Sequence, residues 1–352
     1  MDTILNTDIF DHAKEPMFLG RNLSLQRYDR FKHPIFIDLF KQQNGAFWWP
    51  EEIALATDRT DYSKLSAPEK WVFDTNLKFQ TLGDSCLSRS IHSLGQYVSN
   101  PELEATMNTW AAFEGIHSYS YSYLLNNVYG DSGKFFDSIM KDKKITGRAE
   151  LIRGTFDKIL GKSENIKKDI LNCIIATNVM EGLVFYVSFA CSFYFAYRGV
   201  MTGNGKIIKF IRRDENLHYA ITSNILSILA KDETEGFQEE MKGFKQKAID
   251  LYTESVSNEK IWCEYLFSKG DLLGLNAEVL GGYAEWLCDV RLKSLGIEPQ
   301  FKTAANPIGG WLDSYLDSSK EQVAPQEAQL TSYKIGMGDS RIDDDEISKI
   351  TL

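Results

Sequence analysis

The sequence contains two copies of the pattern Glu-x-x-His, and this repetition restricts the possible folds more than any other feature. The first copy is Glu114 with His117, and the second is Glu215 with His218. Residues three apart on an α-helix are neighbours on one face, so each pair can bind the same metal ion. The sequence therefore predicts two helices that together hold two ions.

An acidic residue precedes each copy, Asp84 in the first case and Glu181 in the second. In an antiparallel helical hairpin, residues at equal distances from the turn lie level with each other. The midpoints of the two intervals fall in residues 99–102 and 198–205, which both have turn-like sequences. Residues 99–102 also carry a Ser-x-x-Glu capping pattern and a proline typical of a helix start. Each hairpin should therefore bring its acidic residue level with its Glu-x-x-His pair.

Four helices then supply six metal-binding side chains: Asp84, Glu114, His117, Glu181, Glu215 and His218. This set is the one that ferritin-like di-iron and di-manganese bundles use. The four carboxylates carry about four negative charges, which two divalent ions balance while both imidazoles stay neutral. A single Glu-x-x-His is most simply a surface pair, but two copies with level carboxylates on apolar helices favour a di-metal site.

Composition and charge favour a cytoplasmic protein without a nucleic-acid surface. The net charge is −10, and no block of Lys or Arg interrupts the acidic character. The five cysteines are dispersed and form no Cys-x-x-Cys motif, which indicates a reducing compartment rather than a disulfide framework. The N-terminus lacks the basic start and apolar core of a signal peptide.

Helical periodicity predicts an all-α protein with almost no sheet. Residues 1–32 are expected to form an extended arm, residues 33–316 the ferritin-like di-metal domain, and residues 317–352 a flexible acidic tail. Helices are expected at residues 33–44, 68–93, 102–128, 133–160, 166–197, 206–229, 235–267 and 277–295. The last two should flank the four-helix core.

The most apolar run, residues 174–197, is long enough to raise the question of a membrane span. It contains Glu181 and many Phe and Tyr residues. A charged ligand and aromatic side chains are better explained by the buried central helix of a bundle. We therefore predict no membrane segment.

A tyrosine is expected beside the metals. Tyr121 follows His117 by one helical turn and shares its metal-facing side. Side chains one or two turns from the ligands of the other helices are apolar: Phe185, Phe189 and Ile211. Most buried tyrosines only pack and hydrogen-bond, but an oxidisable phenol shielded from water beside two metals is where a radical can form and persist.

Two more residues are candidates for a role near the ligands. Asp214 adjoins Glu215 and is expected to accept a hydrogen bond from the second ring nitrogen of His117. Trp48 and Trp49 are adjacent and should point in different directions, one of them toward the core. Packing is the default for either tryptophan, and a functional role is the alternative.

Residues 318–352 are polar and contain the acidic cluster 343–346, so they have too little apolar surface to order themselves. One interpretation is a solvated acidic tail. The other is a docking peptide whose apolar end and Tyr333 engage a partner.

The sequence resembles the small, radical-generating subunit of class I ribonucleotide reductase along essentially its whole length. Besides the six ligands, the resemblance rests on residues 14–18 (Lys-Glu-Pro-Met-Phe), 47–52 (Phe-Trp-Trp-Pro-Glu-Glu), 76–80 (Asn-Leu-Lys-Phe-Gln), 185–193 (Phe-Tyr-Val-Ser-Phe-Ala-Cys-Ser-Phe), 213–215 (Arg-Asp-Glu) and 323–327 (Val-Ala-Pro-Gln-Glu). Some relatives have a longer insertion where this chain has a short turn at residues 161–165.

The resemblance implies a specific chemistry. In that family the di-metal site reacts with dioxygen and oxidises a nearby tyrosine, here Tyr121, to a stable radical. The oxidising equivalent then leaves through Trp48, Asp214 and Tyr333, with His117 on the route, and reaches a cysteine of the catalytic subunit. The expected cofactor is a pair of iron ions, oxo-bridged when oxidised, and manganese is also possible. The product is a deoxyribonucleotide, and diphosphates are the favoured substrates over triphosphates.

The resemblance also implies a homodimer whose tail docks on the large catalytic subunit, which favours docking over simple solvation. Since no nucleotide-binding domain precedes Met1 in this sequence, allosteric control is expected in that partner. Two other functions stay open. A di-iron oxygenase or desaturase would need an open substrate channel and no Tyr121, and a metal-storage bundle would give Trp48, Tyr121 and Tyr333 no shared role.

Overall fold

The computed structural model describes residues 3–316, so the predictions for Tyr333 and the acidic tail lie outside the described residues. The described helices are α1 (Pro34–Gly45), α2 (Ala56–Lys64), α3 (Ala67–Gly95), α4 (Pro101–Val128), α5 (Ser132–Ile139), α6 (Lys143–Arg148), α7 (Glu150–Leu160), α8 (Ile166–Val179), α9 (Phe185–Tyr197), α10 (Thr202–Lys231), α11 (Gln238–Met241), α12 (Phe244–Leu266), α13 (Ala277–Ser294) and α14 (Gly309–Leu316). A π-helical turn, Met180–Val184, joins α8 to α9. Residues 3–316 contain no β-strand beyond isolated bridges.

Two hairpins form the core, as the spacing of the acidic residues predicted. The first is α3 with α4, and the second is the α8–α9 helix with α10. Ser66 begins α3 with a reciprocal cap, because its hydroxyl accepts from the Glu69 amide while the Glu69 carboxylate accepts from the Ser66 amide. This cap fixes the start of α3. The buried faces of the four helices then pack the two hairpins together.

The predicted cap of α4 was one residue off. Asn100, not Ser99, caps the helix by accepting from the Leu103 amide at 2.9 Å. The Ser99 hydroxyl instead donates to the Pro16 carbonyl at 2.7 Å, and Glu102 accepts from the Lys32 amide at 2.6 Å. Both side chains are used to fasten the N-terminal segment, which sequence spacing alone could not show.

The helix that runs from Ile166 to Tyr197 is long and apolar enough to cross a membrane, but 94% of its most apolar stretch is buried inside the protein. It is the central core helix that the sequence predicted. Each large apolar side chain buried there contributes roughly 1.5–3 kcal/mol to folding. This burial fixes the helix against its neighbours on all sides.

The N-terminal segment packs onto the bundle. Met17 and Phe18 are buried, and the Leu19 amide donates to the Tyr97 carbonyl at 2.9 Å. The Met17 amide also donates to the carboxylate of Glu235 at 2.6 Å. These contacts tie the segment to the α3–α4 connection and to the end of α10.

Three helix assignments from the sequence need correction. Residues 133–160 form three short helices rather than one, and residues 235–267 are broken, with Gly236 in the left-handed region at φ +74°. The polar helix α2 was not predicted at all. Its sequence has too few apolar residues to show a helical period, so its tertiary contacts decide its structure.

Those contacts lie at the start of α10. The residue before this helix, Met201, offers no side-chain cap. Asp58 of α2 supplies one instead, because its fully buried carboxylate accepts from the Gly203 amide at 2.9 Å and the Asn204 amide at 2.6 Å. With this cap from α2, α10 begins at Thr202, four residues before the predicted start.

We expect Asp58→Ala to lower the free energy of unfolding by about 2–3 kcal/mol, because the cap is lost and two buried amides lose their acceptor. Asp38→Ala is the matched control, since Asp38 is exposed on α1 and the change should cost less than about 0.5 kcal/mol. Urea denaturation measures both. Equal losses in the two variants would contradict a capping role for Asp58.

Candidate metal centre

The hairpins bring all six predicted ligands into one cluster. The residues come from α3 (Asp84), α4 (Glu114, His117), the π turn (Glu181) and α10 (Glu215, His218). Every one of them is fully buried. Helical spacing had predicted the pairs, and the hairpin symmetry had predicted that each acidic residue would lie level with its pair.

The ligand atoms form two overlapping groups. One contains Asp84, Glu114, His117 and Glu215, and the other contains Glu114, Glu181, Glu215 and His218. Within each group, one ligand atom from every residue lies within 4.8 Å of the others. Because Glu114 and Glu215 occur in both groups, each can place one oxygen toward either position and bridge two ions.

The His117 ring is oriented by contacts on both sides. Its Nδ1 lies 3.2 Å from Glu215 Oε1 and faces the carboxylates. Its Nε2 donates to Asp214 Oδ2 at 3.1 Å, which is the hydrogen bond that the sequence predicted. An ionised carboxylate only accepts, so this bond keeps a proton on Nε2, and Nδ1 is the nitrogen that can bind a metal once it is deprotonated.

The second histidine is held by a residue that sequence reasoning missed. His218 Nδ1 lies 2.6 Å from Glu215 Oε2, and its ring stacks on Trp110 with centroids 4.9 Å apart. Trp110 Nε1 also donates to Glu114 Oε1 at 2.9 Å. The available signal was the spacing, because Trp110 precedes Glu114 by four residues and therefore shares its helix face.

The charges of the cluster act strongly on one another. Burial and the charges of Glu114 and Glu215 raise the pKa of Asp84, and burial and the same two charges raise the pKa of Glu181. Burial opposes ionisation of Glu215 too, but the two imidazoles lower its pKa. Burial would lower the pKa of His117 and His218, and the neighbouring carboxylates raise it instead.

Buried carboxylate oxygens without hydrogen-bond partners indicate what kind of ligand the cluster can bind. Both side-chain oxygens of Asp84 and both of Glu181 are buried and accept no hydrogen bond from a described residue. Leaving such groups unpaired is costly, and a pair of divalent cations would satisfy them. Carboxylate and imidazole donors suit iron and manganese alike. The donor set therefore fits two metal ions.

The predicted tyrosine lies at the edge of this cluster. Tyr121 is fully buried, and burial together with the charges of Asp84 and Glu215 raises its pKa well above the ordinary value. Phe185 lies against Gly83, where a β-carbon would come within 2.7 Å of the Phe185 ring. Phe189 stacks on Phe185 at 5.9 Å. An apolar wall thus stands beside Asp84, and Ile211 of α10 is also fully buried.

The two adjacent tryptophans point in different directions, as predicted. Trp48 is fully buried, whereas Trp49 is 43% exposed. Trp48 Nε1 donates to Asp214 Oδ2 at 2.7 Å, the same oxygen that accepts from His117. The rings of Trp48 and Phe210 stack at 5.2 Å. A continuous hydrogen-bonded chain therefore connects the metal cluster to Trp48.

The family described as ribonucleotide reductase, small chain, matches residues 26–307. This chain is a member of that family. A ribonucleoside-diphosphate reductase subunit beta from Haemophilus influenzae is 39% identical over 366 residues and covers 97% of each chain. Another from Buchnera aphidicola subsp. Baizongia pistaciae is 40% identical over 362 residues and covers 96% of each. A ribonucleotide reductase R2 subunit from Clostridium botulinum has a TM-score of 0.78 at 29% identity, covering 86% of this chain and 94% of that one.

Membership in the ribonucleotide reductase small chain family confirms the resemblance seen in the sequence. It also identifies the chain as a subunit of an oxidoreductase. The likeness to the R2 subunit confirms the ferritin-like, all-α fold. The buried carboxylate and histidine cluster of this small chain has the composition expected for a di-metal site.

We expect divalent metals to release protons when they bind this ribonucleotide reductase small chain. Asp84, Glu181, His117 and His218 all have raised pKa values, so each keeps its proton to a higher pH than in water, and metal binding must displace any proton that is present. Apparent affinity should therefore fall as the pH falls, about tenfold per pH unit for each proton released. Calorimetric Mn²⁺ titrations in two buffers of different ionisation enthalpy count the protons. Identical heats in both buffers would contradict the prediction.

Proposed function

We propose that this chain is the radical-generating small subunit of a ribonucleoside-diphosphate reductase. The observation that carries the proposal is the shared carboxylate oxygen of Asp214, which accepts from both His117 and Trp48. The hydrogen-bonded chain from His117 through Asp214 to Trp48 is suited to carry an oxidising equivalent from a buried metal site to a distant electron donor. The names of the relatives indicate ribonucleoside diphosphates as the substrates of the complete enzyme.

The six clustered side chains are the proposed ligands, and Glu114 and Glu215, which occur in both groups, would be shared between two ions. When bound, two iron ions, or two manganese ions, would supply one-electron oxidising power with dioxygen as the oxidant. Asp84 and His117 serve one position, whereas Glu181 and His218 serve the other. The protein holds these groups in a fully buried site that is closed to bulk solvent.

Tyr121 is the proposed radical site. Its raised pKa disfavours the phenolate, so the phenol would lose its electron and its proton together. The electron would pass to the oxidised metal pair, and the carboxylate of Asp84, which interacts with the phenol, is the proposed acceptor of the proton. Complete burial shields the resulting phenoxyl group from water and from reductants in solution. Phe185, Phe189 and Ile211 are the proposed apolar wall that extends its lifetime.

Trp48, Asp214 and Tyr333 are proposed to carry the oxidising equivalent outward. When Trp48 gives an electron to the proposed Tyr121 radical, its indole proton can move over the 2.7 Å hydrogen bond to Asp214 Oδ2. The second hydrogen bond, from His117, keeps that oxygen aligned. Tyr333 in the tail would receive the equivalent next and pass it to a cysteine of the large subunit.

The alternative functions are less well supported. An oxygenase or desaturase needs a substrate beside the metals, but all six ligands are fully buried. A metal store has no use for a tryptophan hydrogen-bonded through Asp214 to a ligand histidine. We also propose, from the family resemblance, that the chain forms a homodimer in the cytoplasm and that its tail docks on the large catalytic subunit.

We expect Tyr121→Phe to abolish the organic radical signal of the oxygen-treated protein while two metals still bind, because phenylalanine fills the space without an oxidisable hydroxyl. Tyr123→Phe is the matched control on the same helix. The Tyr123 hydroxyl donates to the Ile53 carbonyl, and its removal should leave the signal intact. Electron paramagnetic resonance with metal analysis measures both. A tyrosyl signal that persists in Tyr121→Phe would refute this assignment.

We expect removal of residues 333–352 to abolish nucleotide reduction in the presence of the large subunit, while metal loading and the Tyr121 radical stay unchanged. Tyr333→Phe in the full chain should bind the large subunit normally and yet fail to support reduction. Affinity measurements and product assays separate docking from radical transfer. If the truncated chain still supports reduction, both proposed roles of the tail are wrong.

A further inference from the structure

The turn that carries Glu181 is not α-helical. Residues Met180–Val184 form a π-helical turn in which the Phe185 amide bonds to the Met180 carbonyl, five residues earlier. A π turn contains one more residue than an α turn, so it rotates the following side chains by about 100° relative to a regular helix. The direction in which Glu181 points therefore depends on whether this turn persists.

Two buried arginines from outside the four-helix core bind carbonyls of this turn. Arg291 of α13 donates from Nε to the Gly182 carbonyl at 3.0 Å. Arg148, the last residue of α6, donates from Nη2 to the Val184 carbonyl at 3.2 Å. A π turn interrupts the regular helical bonding of carbonyls, and outside donors of this kind compensate for it.

Arg291 also connects the turn to the other ligand helix. Its guanidinium lies 4.4 Å from the centre of the Tyr219 ring and 4.8 Å from that of Tyr186. Tyr219 directly follows His218, and its ring packs on Gly182, where a β-carbon would lie 2.6 Å from the ring. The Arg291 side chain therefore contacts the segments that supply Glu181 and His218.

Arg148, the other arginine that contacts the π turn, is also held in place by aromatic rings. Its guanidinium lies 3.7 Å from the centre of the Phe79 ring and 4.5 Å from that of Trp262. It forms a buried ion pair with Glu259 and donates to the Ser188 hydroxyl at 2.9 Å. Both arginines are thus immobilised by aromatic rings and present their donors to the turn.

We propose that Arg148 and Arg291 are positioning residues that stabilise the π turn and thereby direct Glu181 toward one of the two metal positions. The inference rests on the proposed function, in which Glu114, Glu181, Glu215 and His218 hold that ion. Loss of either arginine favours a regular helix, in which the Glu181 carboxylate no longer reaches the ion. The other position uses Asp84 and His117 instead of the π turn, so the effect is selective.

The test is an anaerobic titration of the full chain with Mn²⁺. Calorimetry measures the two affinities, and electron paramagnetic resonance detects the bound Mn²⁺. In Arg291→Gln and Arg148→Gln we expect one ion to bind nearly as in the parent and the other about 10–100-fold more weakly. Arg212→Gln is the matched control. Arg212 is as buried as Arg291 and donates to the Leu316 carbonyl at 2.6 Å, not to the turn, so both affinities should be retained.

Two further variants keep the outcome interpretable if the arginine variants do not fold. Gly182→Ala displaces Tyr219 from the turn and should give the same selective loss, whereas Tyr219→Phe keeps the ring and should bind both ions. Equal weakening of both positions, or no weakening of either, overturns the proposal. Glu181→Ala distinguishes failure of the arginine proposal from failure of the proposed ligand set. If the ion at the Glu181 and His218 position binds that variant with unchanged affinity, the ligand set itself is wrong.

Discussion

The structure depends on the burial of four carboxylates in an otherwise apolar helical core. Asp84, Glu114, Glu181 and Glu215 are all fully buried. Transferring one unpaired carboxylate into a protein interior costs several kcal/mol, so four of them cost more than the 5–15 kcal/mol by which a typical domain is stable. Protons or cations must therefore neutralise the cluster. The raised pKa values of Asp84 and Glu181 show the first possibility, and two divalent ions provide the second.

This constraint also explains how much of the site the sequence could predict. Helical spacing and hairpin symmetry are local properties, so the six cluster residues and the all-α fold followed from them. That Glu114 and Glu215 belong to both ligand groups depends on how each helix is rotated, which spacing does not specify. Apart from Glu181, the π turn Met180–Val184 lies inside an apolar run, where one inserted residue leaves no mark on the pattern. The cap from Asp58 comes from a distant, polar helix whose own formation depends on tertiary contacts.

The two hairpins are alike in their ligands and different in their surroundings. Beside Asp84, close packing of Phe185 on Gly83 and the buried phenol of Tyr121 make an apolar environment that suits an oxidisable group. The backbone turn that carries Glu181 instead accepts hydrogen bonds from two arginines, Arg291 at the Gly182 carbonyl and Arg148 at the Val184 carbonyl. Similar ligand sets therefore have different neighbours outside the cluster. Such an asymmetry is expected where two ions have different tasks, because the surroundings of a site control its potential and its affinity.

The same asymmetry assigns distinct tasks to the two histidines. His117 donates through Nε2 to Asp214, and this acidic residue continues the chain to Trp48. His218 stacks on Trp110, whose indole donates back into the cluster through Glu114. The contacts of His117 thus lead away from the carboxylate cluster, whereas those of His218 return to it. A ligand whose second nitrogen bonds to a carboxylate can transmit a change of charge outward, so under the proposed function the oxidising equivalent would leave on the His117 side.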